Sequence, residues 1–482
     1  MSFPPRWTEM LAASGLSPVP GLPETLAGIS ADSRAIRPGM LYAALPGAKW
    51  DGRAFIGEAV ARGAVAVLAS EGTVWPEDVA RVPLLTAAEP RRALAKLAAA
   101  RAGLAPAQVI AVTGTNGKTS TADFVRQLKQ ASGVAAASLG TLGVIAPGRQ
   151  AEGGLTTPDP VALAETMAEL AREGVQVAAI EASSHGLHQF RLDGLHLAAA
   201  GFSNLTRDHL DYHGTLDEYR AAKLRLFREL LPAGAPAVAS TELDAETMEA
   251  LRAIPGLFLR TVGDEGDWLR LIRSTPHPGG QTLEIDGHGT VELALPGRFQ
   301  ADNALLAAGL AMATGTTEAV SLLPALQGVR GRMELAAEPD GAAVYVDYAH
   351  TPDALERLLL ALRPHTSGRL HVVFGAGGDR DRGKRPLMGA VAARLADRAI
   401  VTDDNPRTED PATIRAAVLS GCPRGIEIGD RARAIAAGLD GLRLGDVLVI
   451  AGKGHEQGQT IGTEVHPFDD AKTVRQLLGG GR

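Results

Sequence analysis

Val109-Ile110-Ala111-Val112-Thr113-Gly114-Thr115-Asn116-Gly117-Lys118-Thr119-Ser120 is the stretch from which the rest of the chain is read. Its first four residues form a short apolar run that predicts a buried strand. Beyond it, Phe124, Val125 and Leu128 recur at helical spacing. The order is strand, glycine loop, helix. Gly114 and Gly117 let the backbone curl so that its N–H groups face inward. The helix N-terminus adds partial positive charge, Lys118 adds a full one, and Thr119 offers a hydroxyl to Mg²⁺. Gly114, Thr115, Asn116, Gly117, Lys118, Thr119 and Ser120 therefore form a phosphate cradle. Two residues separate its glycines, where the usual G-x-x-x-x-G-K-[ST] loop has four.

A chain of 482 residues exceeds one domain. Its 45% hydrophobic and 21% charged residues indicate a soluble globular protein. A net charge of -7 without a basic tract argues against nucleic-acid binding. No apolar run has membrane-spanning length, and the N-terminus lacks a basic-then-apolar signal pattern, so no membrane insertion is expected. Cys422 is the only cysteine, which precludes an internal disulfide and fits a reducing cytoplasm. Of 48 basic residues only eight are lysine. Where arginine serves as the general cation, a retained lysine points to ammonium chemistry, because lysine can deprotonate and react. Lys118, Lys223, Lys384 and Lys453 sit in motif-like sequence, whereas Lys129 and Lys472 read as surface filler.

Three α/β segments follow from the pattern of apolar runs and polar loops. In residues 1–88, polar loops around Asp32-Ser33-Arg34 and residues 46–53 alternate with short strands. In residues 89–330, an alanine-rich helix precedes the phosphate loop. Leu155-Thr156-Thr157-Pro158-Asp159 makes a turn into a helix. The strand 175–180 then ends in Glu181, where a carboxylate facing a phosphate loop is a natural Mg²⁺ ligand. The strand 197–202 ends in a polar run containing Asp208, His209, Asp211 and His213, and a helix carries Lys223. In residues 331–482, four strands each close in a charged loop bearing glycine or proline. These loops are 347–353, 375–386, 403–407 and 451–456, and a doubly wound sheet brings them to one edge. The Gly375-Ala376-Gly377-Gly378 run is weak evidence for a dinucleotide fingerprint, since Asp379 to Lys384 intervene before a helix over 388–395.

Together these motifs resemble the Mur ligases of peptidoglycan synthesis. The carriers are Gly114-Thr-Asn-Gly-Lys-Thr, Glu181, Asp208-His209-Leu-Asp211, Tyr219-Arg-Ala-Ala-Lys223, Gly331-Arg-Met-Glu, Asp347-Tyr-Ala-His-Thr-Pro-Asp and Gly452-Lys-Gly-His-Glu. The resemblance runs in order over nearly the full length, and is greatest to members that add the third residue of the peptide stem. It implies a small N-terminal domain holding UDP (1–88), a central P-loop ATPase-like parallel-sheet domain (89–330) and a C-terminal Rossmann-like domain for the amino acid (331–482).

The resemblance also implies roles. Ser33, Thr156, Thr157, Ser183, Gln189 and Arg191 match contacts to UDP-N-acetylmuramoyl-L-alanyl-D-glutamate. Residues 47–50 occupy a variable uracil-loop position. Lys118 and Thr119 match phosphate and Mg²⁺ contacts, Glu181 and His209 match Mg²⁺ ligands, and Lys223 matches a lysine carbamylated by CO₂ that binds a second Mg²⁺. Asn303, Arg332 and Asp347 match ATP contacts. Lys118, Glu181, His209 and Lys223 are thus the expected catalytic set.

The chemistry implied is activation of a side-chain carboxylate as an acyl phosphate, followed by attack of an amine. The third domain is expected to close over the reacting groups. Asp404-Asn405-Pro406-Arg407 resembles the motif of enzymes that take meso-2,6-diaminopimelate, with Arg407 on its distal carboxylate. Arg385, Gly452 and Glu456 match further contacts to the diamino acid. Lysine or ornithine would leave Arg407 unpaired. A cytoplasmic monomer is expected. The alternatives are a related ligase such as one adding glutamate to folate, a P-loop nucleotide switch, and a non-catalytic sugar-nucleotide binder. The muramoyl contacts argue against the first. The absence of Asn-Lys-x-Asp argues against the second.

Overall fold

The computed structural model describes residues 7–479 apart from 48–49, 152–153 and 278, so part of the 47–50 loop lies outside the described residues. Two compact units organise the chain, one of residues 1–261 with 309–317 and one of residues 262–308 with 318–482.

The first unit opens with α1 (Trp7–Ser14) and a parallel sheet of β1 (Gly28–Ser30), β2 (Met40–Ala44), β3 (Ala66–Ser70) and β4 (Leu84–Ala87), in that spatial order; α2 (Ile56–Ala61) lies between β2 and β3 in the chain. Both faces of this sheet are covered, as a parallel sheet requires. Leu41, Ala43, Ala66 and Leu68 pack with Trp7, Met10 and Leu11. Tyr42, Ala44, Val67 and Ala69 pack with Ile56 and Trp75. Helix α3 (Pro90–Ala102) starts with Pro90 in its first turn and stops at Gly103, whose φ is 70°. It sends Ala93, Leu94, Leu97 and Ala98 into the first of those clusters, so the alanine-rich helix ahead of the phosphate loop serves the N-terminal sheet.

The next elements are β5 (Gln108–Thr113), α4 (Lys118–Ala131), β6 (Ala136–Gly140), β7 (Gly143–Ala146), β8 (Arg149–Ala151), α5 (Pro160–Arg172), β9 (Val177–Glu181) and α6 (Ser184–His188). They continue with β10 (Leu197–Phe202), α7 (Leu210–His213), α8 (Leu216–Arg225), β11 (Pro236–Ser240), α9 (Ala245–Arg252) and β12 (Phe258–Gly263). The spatial order is β11-β10-β5-β9-β6-β7-β8. The first five of these are parallel, and β7 and β8 fold back antiparallel. Apart from Gln108, Thr113 and Glu181 at their ends, the central strands β5, β9 and β10 are apolar and largely buried, as a parallel sheet covered on both faces requires. Register sets Val112 beside Glu181 and Thr113 beside Phe202, so the ends of β5, β9 and β10 lie together. A capping box of Thr215 and Glu218 starts α8, and Leu226–Leu230 continues it as one π-type turn.

Lys129 corrects the surface-filler reading. It is 2% exposed, and its ammonium donates to Ala311 O (3.2 Å) and Thr314 O (2.8 Å) at a helix C-terminus. Ala311 O also accepts from Thr316 N–H (2.9 Å), and the helix dipole favours a cation at this end.

In the second unit, β13 (Leu269–His277), β14 (Gly280–Ile285) and β15 (Gly289–Leu293) form an antiparallel meander, in a stretch for which the sequence reading assigned no element. Helix α10 (Arg298–Ala313) follows, and its residues from 309 onward belong to the first unit. Then come β16 (Glu334–Ala337), β17 (Ala343–Asp347), α11 (Pro352–Leu362), β18 (Leu370–Phe374), α12 (Lys384–Leu395), β19 (Arg398–Val401) and α13 (Pro411–Leu419). The chain ends with β20 (Ile426–Glu427), α14 (Arg431–Leu439), β21 (Val447–Ala451), the hairpin β22 (Gly458–Ile461) and β23 (Glu464–Pro467), and α15 (Asp470–Gly479). The sheet order β16-β17-β21-β18-β19-β20 is parallel except for β16.

Helices α11, α12 and α13 cover one face of this sheet, and α14 and α15 the other, which is the doubly wound arrangement. Helix α12 begins at Lys384, four residues before the sequence expectation, which places Arg385 in its first turn. Arg431 and Asp470, both fully buried, form a bidentate pair that ties α14 to α15. Among the described residues no helix is long and apolar enough to cross a membrane.

Candidate active site

The phosphate loop is built as its glycines require. Gly114 has φ 147° and Gly117 has φ 84°, both in a region that side-chain-bearing residues avoid. The N-cap of α4 is Gly117, which has no side chain to cap the helix, and a helix N-terminus of this kind favours an anion. The loop is held by the residues that follow β10. Thr115 N–H donates to Asn204 O (2.8 Å), Asn116 N–H to Asn204 Oδ1 (2.9 Å), and Asn204 Nδ2 to Asn116 O (3.1 Å). Thr206 N–H donates to Thr115 Oγ1 (2.9 Å), which also meets the Tyr219 hydroxyl (3.2 Å). A Cβ at Gly114 would stand 1.9 Å from Ser203 Oγ, so the loop and this strand end are in close contact. Ser203, Asn204, Thr206 and Tyr219 were not assigned site roles from sequence. The first three had only a polar run after an apolar strand as their signal, and Tyr219 entered only as the first residue of the motif that ends in Lys223.

Two lysines converge on one carbonyl. Lys118 Nζ donates to Gly114 O (2.9 Å) and Thr115 O (2.8 Å). Lys223 Nζ donates to the same Gly114 O (2.6 Å) and lies 4.4 Å from the centre of the Tyr219 ring. Lys223 is 1% exposed, and burial, reinforced by the Lys118 charge, drives its pKa well below the ordinary lysine value. A buried amine held toward its neutral form is the nucleophilic form that combines with CO₂, so the site fits a carbamate at this position.

Glu181 is buried at the end of β9. Thr141 anchors it, donating from its N–H to Oε1 (2.7 Å) and from its hydroxyl to Oε2 (3.3 Å). Thr156 meets the Thr141 hydroxyl at 3.1 Å. Thr157, fully buried, donates to Glu181 O (2.8 Å) and meets Ser183 Oγ (2.9 Å), while Ser183 caps α6 through Gly186 N–H (3.0 Å). Arg191 donates to Thr157 O (2.6 Å) and Gln189 Oε1 (2.7 Å), and burial lowers its pKa. Thr156, Thr157, Ser183, Gln189 and Arg191 are therefore one connected network beside Glu181. Ser33 lies elsewhere, donating to Glu58 Oε2 (2.8 Å).

His209 has φ 53° at the start of α7 and packs against His185, with ring centres 4.9 Å apart. His185 also packs against Tyr212 (4.1 Å) and His213 (5.5 Å). Burial, with the neighbouring histidines and Lys223, pushes His213 down to about 4. Among the described residues, no three His, Cys, Asp or Glu side chains converge as a metal site. A metal set of Thr119, Glu181, His209 and carbamylated Lys223 would contain only two such residues.

Asn303, Arg332 and Asp347 lie in the second unit. Asp347 accepts from Met333 N–H and Ala349 N–H (2.8 Å each), and burial raises its pKa against the opposing charge of Arg332. The Arg332 guanidinium lies 4.8 Å from the centre of the Tyr348 ring, and its buried Nε has no hydrogen-bond partner among the described residues. Asn303 donates to Gln300 Oε1 (3.2 Å), and Gln300 reaches Arg332 O (3.5 Å), which links Asn303 to the Arg332 backbone.

The residues expected to hold a diamino acid surround the ends of β19 and β21 in the same unit. Asn405 Nδ2 donates to Glu456 Oε2 (2.9 Å). Gln459 Nε2 donates to Asp404 O (2.7 Å), and a Cβ at Gly452 would meet Asp404 Oδ2 at 2.4 Å. Pro406 O lies 1.9 Å from where a Cβ at Gly378 would stand. Arg407 has φ 51° and donates from Nη1 to Gly378 O (2.8 Å). Arg385 is 2% exposed and engaged by Glu409 (2.8 and 3.1 Å), beside a cavity of about 580 Å³ lined by Arg382, Arg385, Glu409 and Thr413. Glu409 was not anticipated. Its Arg385 and Asp379 N–H partners hold it down to about 2.

Three family models match the chain: the Mur ligase family catalytic domain over residues 25–102, the Mur ligase middle domain over 112–311, and the Mur ligase glutamate ligase domain over 331–454. A UDP-N-acetylmuramoyl-L-alanyl-D-glutamate–2,6-diaminopimelate ligase of Mesorhizobium japonicum is 52% identical over 96% of this chain and 98% of its own. The protein of the same description from Caulobacter vibrioides is 54% identical over 94% of this chain and 96% of its own. A solved structure of a UDP-N-acetylmuramoyl-L-alanyl-D-glutamate–2,6-diaminopimelate ligase superposes with a TM-score of 0.73 at 33% identity, covering 99% of both chains. The MurF ligase of Thermotoga maritima in complex with ADP shares the fold, with a TM-score of 0.61 at 18% identity over 94% of this chain and 97% of its own.

Proposed function

This chain belongs to the Mur ligase family, with that family's three-domain α/β architecture, and we propose that it joins meso-2,6-diaminopimelate to the D-glutamate of UDP-N-acetylmuramoyl-L-alanyl-D-glutamate with conversion of ATP to ADP. The observation that carries the ligase chemistry is the pair of lysines on Gly114 O, one at the phosphate loop and one buried with its amine held toward neutrality. A simple nucleotide switch has no use for the second. The substrate assignment is supported by the descriptions of relatives more than half identical to this chain.

The proposed sequence begins with ATP bound at residues 114–120, where loop N–H groups and Lys118 offset phosphate charge. The γ-phosphoryl group passes to the side-chain carboxylate of D-glutamate, giving an acyl phosphate. The network of Thr156, Thr157, Ser183, Gln189 and Arg191 orients the dipeptide, with Ser33 on the uridine part. Thr119, Glu181, His209 and a carbamylated Lys223 would hold Mg²⁺, which when bound offsets charge on the phosphates. Asn303, Arg332 and Asp347 contact the nucleotide. Arg407, with Arg385, Asp404, Asn405, Pro406, Gly452 and Glu456, orients the diamino acid. Its amine then attacks the acyl carbon, and phosphate leaves from the tetrahedral intermediate.

The domains are placed at 1–88, 89–330 and 331–482. The enzyme is placed in the cytoplasm as a monomer, in keeping with its single cysteine and with a ligand set supplied entirely by its own residues.

The test is ADP release from ATP and UDP-muramoyl dipeptide, with diaminopimelate, lysine or ornithine added separately. Release should require both the dipeptide and an amine, with diaminopimelate favoured. Equal turnover with lysine would remove the diaminopimelate assignment, and release independent of any amine would remove the ligase reading.

A further inference from the structure

Lys453 is one of the eight lysines and is completely buried. It lies just beyond β21, between two glycines of positive φ, Gly452 at 120° and Gly454 at 53°. Both flanks are pressed against neighbours. A Cβ at Gly452 would stand 2.4 Å from Asp404 Oδ2, and one at Gly454 would stand 2.7 Å from Tyr348 Cβ. Glu456 N–H donates to Lys453 O (3.0 Å), which turns the chain back so that Glu456 sits over the lysine. The Lys453 ammonium donates to Asn405 Oδ1 (3.0 Å) and Glu456 Oε2 (3.2 Å).

This determines which way the Asn405 amide faces. Its Oδ1 receives two groups that can only donate, the Lys453 ammonium and Thr460 N–H (2.9 Å). A flipped amide would set NH₂ against both. Nδ2 is thereby directed at Glu456 Oε2 (2.9 Å). Glu456 Oε2 then accepts from both Lys453 and Asn405, which leaves Oε1 of this partly exposed carboxylate for a ligand. Lys453 itself, without exposed surface, cannot touch a substrate.

We propose that Lys453 is the positioning residue of the diamino-acid site: it locks the Asn405 amide and the Glu456 carboxylate into one arrangement, and so sets affinity for the amine substrate without contacting it. This rests on the assignment of Asn405 and Glu456 to diamino-acid binding. Removing a charged donor shared by two acceptors is expected to cost on the order of 10-fold to 100-fold in affinity.

The experiment is steady-state ADP release by full-length Lys453→Met and Lys453→Gln, beside wild type, with ATP, dipeptide and meso-diaminopimelate varied in turn. Lys453→Met should raise KM for diaminopimelate by that factor, with KM for ATP and dipeptide within about twofold. Lys453→Gln keeps one donor for Asn405 Oδ1 in case the methionine variant does not fold, and should fall between it and wild type. In an Asn405→Ala background Lys453→Met should raise KM by less than it does in wild type, because only its Glu456 contact then remains to be lost. Unchanged KM in a folded variant, equal loss across all three substrates, or effects that multiply in the double variant would overturn the positioning role. If wild type itself turns over with no diamino acid, the functional assignment falls, and this inference with it.

Discussion

Gly140 ends β6, and an added Cβ there would lie 1.9 Å from Glu181 Oε1, 2.4 Å from its Cδ and 2.5 Å from its Cγ. All three distances are below the 3.0 Å under which real Cβ contacts essentially never occur. In Gly140→Ala the whole carboxyl group must therefore shift by roughly 1 Å. Glu181 has little room to adapt, because it is 2% exposed and held by Thr141. Misplacing a catalytic group by about 1 Å costs on the order of 10²-fold in rate, or about 2.7 kcal/mol of transition-state stabilisation. If Glu181 is a Mg²⁺ ligand, kcat for ADP release should fall by about that factor, and the Mg²⁺ concentration for half-maximal rate should rise. The melting temperature should fall only modestly, since Gly140 has no positive φ. The assay is coupled ADP release over a Mg²⁺ titration, with a thermal melt on the same preparation. Wild-type kcat and Mg²⁺ dependence in a folded Gly140→Ala protein would refute the role given to Glu181.

Lys223→Ala is expected to lose activity by on the order of 10²-fold or more and to regain part of it with added formate or acetate; full activity without rescue would exclude a carbamate there. Arg407→Ala should raise KM for diaminopimelate by about 10-fold or more while leaving that for lysine nearly unchanged, and equal effects on both would remove its distal-carboxylate role. Lys129→Met removes a charged donor from Thr314 O and from Ala311 O, the latter keeping Thr316 N–H. It should cost about 1–3 kcal/mol in urea denaturation, and a change below measurement error would show that the contact contributes nothing. His365 Nε2 accepts from Gly297 N–H (2.8 Å) and Nδ1 donates to His277 O (2.9 Å), so the neutral ring is required and burial lowers its pKa below the ordinary 6.5. Below pH 6.5 the unfolded chain then binds a proton that the folded one resists, and stability falls as pH drops toward the folded pKa. In His365→Gln this part of the slope, measured by urea melts at several pH values from 5 to 7, should flatten; an unchanged slope would count against it.

Much of the fold was legible because its signals are local. The run 109–112 followed by two glycines and a helical repeat can be read within twenty residues, and β5, its loop and α4 fall where that reading puts them. The apolar strand 197–202 matches its predicted limits, since strands buried on both faces leave continuous apolar runs. The meander 269–293 escaped because its strands are largely exposed on one side and carry polar residues such as Arg270, Arg273 and Glu284. The residues that shape the phosphate loop escaped for another reason. Asn204 and Tyr219 are about 90 to 100 positions from the atoms they hold, and no local pattern reports such a pairing.

Sequence by itself determined the chemistry on offer: a phosphate loop, a carboxylate at a strand end, lysines kept amid forty arginines, and a charged loop after each of four strands. These follow from residue identity and nearest-neighbour backbone requirements. Tertiary structure decided what each group does with its charge. Lys129, Lys223 and Lys453 are alike as letters, yet one satisfies the carbonyls of a helix end, one is driven toward neutrality beside Lys118, and one is committed to Asn405 and Glu456. The cost of burying an ammonium, and the partner that offsets it, depend on dielectric surroundings and distance, and those exist only once the chain has folded.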